Sequence, residues 1–118
     1  MESLPHIVPE RIEMAENALL KRIKSAVLAI EPSATLALYG SRARGEATAE
    51  SDWDILIVVE GAVSHSRKTA LWDALYLLEL ETGESIGATI KSRAEWHGNP
   101  IARASAFYQN LEQEALEY

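Results

Sequence analysis

Two aspartates, Asp52 and Asp54, stand two apart at the opening of an apolar, β-branched run, Ile55-Leu56-Ile57-Val58-Val59. Side chains two apart on an extended strand project from the same face, so the carboxylates are expected side by side. Close carboxylates repel unless a cation lies between them, and hard divalent ions such as Mg²⁺ take oxygen ligands of this kind. Upstream runs Tyr39-Gly40-Ser41-Arg42-Ala43-Arg44-Gly45. Gly40 permits close backbone approach to a ligand, and Ser41 offers a hydroxyl and a main-chain N–H. Arg42 and Arg44 are two of 11 basic residues in a chain of net charge −7. Together they form a local anion site suited to phosphate. A phosphate cradle beside a metal-binding carboxylate pair is the equipment of phosphoryl or nucleotidyl transfer. Alone, Gly-Ser would be a turn and Asp-x-Asp a solvated strand end. Their conjunction, bracketed by two apolar strands, carries the reading.

These groups need a scaffold, and the pattern predicts one domain over residues 1–118. Pro9 suits a first helical turn, and Ile12, Ala15, Leu19, Ile23, Val27 and Ile30 form one helical face ending before Pro32. Ala34 to Tyr39 reads as a buried strand, and Ser41 to Ser51 as a loop with room for one helical turn. After the Ile55–Val59 strand and Gly61, Ser64 or Ser66 caps a helix to about Glu81. Its apolar positions are Leu71, Trp72, Leu75, Leu78 and Leu80, and Thr82-Gly83 is its stop. Ser85 to Lys91 alternates as a third strand, with Ile86, Ala88 and Ile90 on one face and Gly87 and Thr89 on the other. Ser92-Arg93-Ala94-Glu95 is a capping box that opens a short helix, and Asn99-Pro100 breaks it. Ile101 to Tyr118 is expected as a last helix with Ile101, Ser105, Tyr108 and Leu111 in line. The expected fold class is α/β (α+β), a small mixed sheet with helices packed on it.

Composition removes other chemistries. There is no cysteine, so disulfides, zinc–thiolate sites and thiol catalysis are excluded. His6, His65 and His97 have no ligand spacing. No apolar run approaches the length of a membrane span, and the N-terminal residues lack a signal-peptide pattern, so the expectation is a cytoplasmic protein with no membrane partner. The acidic balance argues against direct nucleic-acid binding. Trp53 is expected to point away from the aspartates, Trp72 to be core, and Trp96 to plug the sheet edge. Glu112, Glu114 and Glu117 read as a solvated helix face.

Gly40-Ser41, ten residues, then Asp52-Trp53-Asp54 resembles the GSx₁₀DxD signature of minimal nucleotidyltransferase (MNT) domains. These belong to the DNA polymerase β-like nucleotidyltransferase superfamily, and the wording from Tyr39 to Glu60 resembles it throughout. The resemblance implies that fold, with Gly40, Ser41, Arg42, Arg44 and Ser51 meeting ATP, and Asp52 and Asp54 as catalytic Mg²⁺ ligands. It further implies an antitoxin that transfers AMP to a tyrosine of a HEPN toxin. Active superfamily members generally carry a third carboxylate on the next strand. Ser85 to Lys91 has none, and Glu84 stands only at its start. The alternative is therefore an antitoxin that binds and occludes a HEPN ribonuclease through its surface, with a vestigial nucleotide site. Self-association is left open.

Overall fold

The computed structural model describes residues 17–118. Pro9, Ile12 and Ala15 of the expected first helix lie outside the described residues. Helix α1 (Ala18–Ile30) starts where the Asn17 side chain accepts the Leu20 N–H. It buries Leu20, Ile23 and Val27. Leu19 only packs partly against the core and Ile30 is exposed, so the buried stripe is offset by one residue from the expected one at its start. Strand β1 (Thr35–Tyr39) follows, then a single helical turn, α2 (Ser41–Arg44). Strand β2 spans Trp53–Val59.

Helix α3 (His65–Thr82) is capped by Ser64, whose hydroxyl accepts the Arg67 N–H, and stops at Gly83 in the left-handed region. It buries Leu71, Leu75 and Leu78. Trp72 and Leu80, expected on that face, are 44% and 64% exposed. The spacing of the three leucines, four then three, takes the whole core face. A residue one or two positions further on is rotated by about 100° or 200° out of it. Strand β3 (Ile86–Ser92) leads into α4 (Arg93–Gly98) through the capping box, in which Ser92 and Glu95 each accept the other's N–H.

The expected final helix is broken. Helix α5 (Pro100–Ala104) ends at Ser105, whose side chain accepts the Tyr108 N–H and starts α6 (Ala106–Glu114). Serine competes well for such a cap and poorly inside a helix. Ile101 is 84% exposed rather than packed. The chain then closes as a short strand, β4 (Leu116–Glu117).

The sheet order is β3-β2-β1-β4. β2 runs parallel to β3 and antiparallel to β1, and β4 is antiparallel to β1. One face carries Leu36, Leu38, Ile55, Ile57, Val59 and Ile90 against α1 and α3. The other carries Leu56 and Val58 against Trp96, Tyr108 and Leu111. β2 is thus buried on both faces, which is why its sequence is an unbroken apolar run. Trp96 lies under this second layer, its ring 4.5 Å from that of Tyr108, and not at the sheet edge. Three backbone groups of β3 are taken by side chains. Glu79 accepts the Ile86 N–H, Trp72 donates to the Ala88 carbonyl, and Glu95 accepts the Ser92 N–H. Among the described residues no helix is long and apolar enough to cross a membrane.

Candidate functional site

Asp54 is the second residue of β2 and lies opposite Tyr39 of β1 and Gly87 of β3. Trp53, one residue before it, packs partly on the α1–α3 core, so Asp54 looks to the other face. Gly40 ends β1 at φ 80°, a conformation that favours glycine. A Cβ at Gly40 would overlap Asp54 Oδ2, and one at Gly87 would lie 3.2 Å from Oδ1. Both oxygens therefore face a glycine, and the carboxylate sits in a cradle made by two absent side chains. The alternation of β3 places Gly87 with Thr89 on the face opposite Ile86, Ala88 and Ile90, and the strand register sets it beside Asp54. Beyond the cradle the Tyr39 hydroxyl shares a hydrogen bond of 2.9 Å with Thr89 Oγ1.

Asp52 is exposed, just ahead of β2. Burial pushes the Asp54 carboxyl above the usual carboxylate range, the charge of Asp52 adds to this, and Arg44 opposes it. A cation at the pair would relieve both the burial cost and the repulsion. Two carboxylates of hard oxygen, open to further ligands such as phosphate, suit Mg²⁺. Among the described residues no group of three or more acids, histidines or cysteines is placed to hold a metal ion. Glu84 accepts the Trp53 Nε1–H at 2.8 Å and so belongs to the Trp53 side.

Two of the residues expected at a nucleotide, Arg42 and Ser51, frame the loop. Arg42 donates Nε–H and Nη2–H to the Ser51 carbonyl at 3.1 and 2.9 Å, and Nη2–H to that of Thr48 at 3.3 Å. Its guanidinium lies 4.1 Å over the Trp53 ring and 3.8 Å from Glu84. The Ser51 hydroxyl accepts the Thr48 N–H at 2.9 Å. These contacts fix the spacer and the point at which Asp52 and β2 begin.

Gly40 and Ser41 stand at the mouth of the cradle. The Gly40 carbonyl accepts the Ala43 and Arg44 N–H groups, and the Ser41 carbonyl that of Glu46. The carboxylate of Glu114, from the end of α6, accepts the Gly40 N–H at 3.4 Å and pairs with Arg44 Nη1 at 3.2 Å. Arg44 Nε also donates to Glu46 at 2.9 Å. Glu114 is thus the site residue that the sequence pattern hides, because beside Glu112 and Glu117 it reads as part of a solvated helix face. No spacing signal could have found it, since 74 positions separate it from Gly40.

Residues 20–107 match the family model of the nucleotidyltransferase domain. The fold is similar to a chain in the crystal structure of a toxin-antitoxin with AMP-PNP, with a TM-score of 0.58 and 14% sequence identity. The likeness covers 82% of this chain and 69% of that one. No curated protein sequence matches.

Proposed function

The chain belongs to the nucleotidyltransferase domain family, and from that premise we propose that it is an antitoxin that transfers AMP from ATP to a tyrosine of a HEPN toxin. The observation that carries the reading is the Asp54 carboxylate held between Gly40 and Gly87 with Asp52 nearby. The fold shared with a chain of a toxin-antitoxin containing AMP-PNP supports it. Asp52 and Asp54 would hold Mg²⁺, which when bound neutralises phosphate charge and aligns the reacting oxygens. The Gly40 N–H, Ser41 and Arg44 meet the triphosphate, while Arg42 and Ser51 hold the loop that presents them. In transfer, the tyrosine oxygen bonds to the α-phosphorus, its hydroxyl proton passes to water, and the bond to pyrophosphate breaks. The site of action is the cytoplasm.

A second reading, neutralisation by occlusion, is favoured by one observation. Trp72, Tyr76 and Leu80 recur every four residues on α3 and are all exposed, with Leu77 alongside. An apolar stripe of this kind offers a partner protein a surface to cover.

The double variant Asp52→Asn, Asp54→Asn separates the two. It removes the charge that binds the cation and leaves α3 untouched. An adenylylating enzyme loses the mass gain of one AMP on the partner, because the metal is worth several kcal/mol of transition-state charge stabilisation, and cells expressing the toxin are no longer rescued. Rescue at the wild-type level would leave occlusion standing.

A further inference from the structure

Glu114 is the last residue of α6. An acid there faces the negative end of the helix dipole and the outward carbonyls of the last turn, so the helix itself disfavours it. Its compensation comes from the loop after β1. The carboxylate pairs with Arg44 Nη1 at 3.2 and 3.4 Å and accepts the Gly40 N–H at 3.4 Å. The scaffold holds it there from both sides. Tyr108 and Leu111 of α6 are buried beneath, and Leu116 pairs with Leu38 immediately afterwards. The loop's other guanidinium, Arg42, is committed to backbone carbonyls and Trp53. Gly40 N–H and Arg44 are therefore the donors for an incoming phosphate that Glu114 occupies, and a carboxylate oxygen presents to them what a phosphate oxygen would.

We propose that Glu114 is an internal competitor, an autoinhibitory carboxylate that occupies the Gly40–Arg44 seat until a triphosphate displaces it. The inference rests on the reading of that loop as the triphosphate seat. By linkage, anything that draws the end of α6 off the loop tightens triphosphate binding.

The test uses the full chain, with inorganic triphosphate and Mg²⁺ as the probe. Glu114→Gln keeps the shape and removes the charge. Glu112→Gln makes the same charge change beside Tyr108, away from the loop. Calorimetry should show Glu114→Gln binding tighter than wild type by about threefold to tenfold, with Glu112→Gln close to wild type. In amide spectra of the ligand-free proteins, the Gly40 resonance should differ between wild type and Glu114→Gln, and the two should converge at saturation. Equal affinities overturn the proposal, as does an equal gain in Glu112→Gln, which would mean only bulk charge. A Gly40 resonance indifferent to Glu114→Gln overturns the contact itself. If none of the proteins binds triphosphate, the seat reading falls and takes the competitor with it, an outcome distinct from binding at unchanged strength.

Discussion

Asp54 is held where its ionised form is costly. Its carboxyl titrates above the ordinary range because of burial first and the charge of Asp52 second. The folded protein therefore holds that proton more tightly than the unfolded chain does. Stability contributed by the protonated form is present at low pH and is lost as pH rises through the raised value. At neutral pH Asp54→Asn should raise the melting temperature of the metal-free protein, and the gap should close on acidification below the ordinary carboxylate range. Calorimetry across pH checks this, and a variant melting below wild type at neutral pH would sink it. Gly40 gives a second test at the same carboxylate. Gly40→Ala combines a φ of 80° with an overlap on Asp54, whereas Gly45→Ala has a similar φ of 75° and nothing within 4 Å. Gly45→Ala should cost only the conformational term, about 1–2 kcal/mol. Gly40→Ala should cost clearly more in denaturant unfolding, and equal costs would mean that Asp54 moves aside freely.

Elements were legible where local chemistry decides them. The buried run Ile55–Val59, the stop at Gly83 and the capping box at Ser92 each rest on residues within a turn of one another. The Asp-x-Asp opening of β2 was legible for the same reason. What escaped was decided at long range or by competition between local options. Ser105 could sit inside a helix or cap one, and the sequence pattern alone does not choose. The exposure of Trp72 follows from which leucines win the core face, and the roles of Arg42 and Glu114 depend on which elements meet. The contact between α1 and α3 belongs to this class too. Arg67 donates to both Glu31 oxygens, at 2.9 and 2.7 Å, and to the carbonyls of Glu60 and Ala62. The hydrogen bond from Arg67 is the main reason why the Glu31 carboxyl lies below its ordinary range. A depressed carboxylate contributes stability above the ordinary range and loses it as pH falls through the folded value. Glu31→Gln should therefore melt lower than wild type at neutral pH, with the difference fading in acid. A constant difference down to acid pH would assign the effect to packing instead of charge.

The molecule as a whole is a sheet covered unequally. The α1–α3 side packs two helices of 13 and 18 residues onto buried residues of three strands. The other side rests on Leu56, Val58, Trp96, Tyr108 and Leu111, with short helices α4 and α6. Asp54, Gly40 and Glu114 all belong to this thinner side or its margin. Local opening is cheapest where few apolar groups must be exposed. Amides of α6 should accordingly exchange with solvent hydrogen faster than those of α1, α3 and central β2. Leu111→Ala should widen that gap, since it removes a buried anchor of α6 at a cost of about 2–5 kcal/mol. If the two sides are one cooperative unit, exchange in α6 will match that of α3 and Leu111→Ala will lower both together. If they are not, the segment that carries Glu114 can leave the Gly40 loop while the α1–α3 side and the strand bearing Asp54 stay folded.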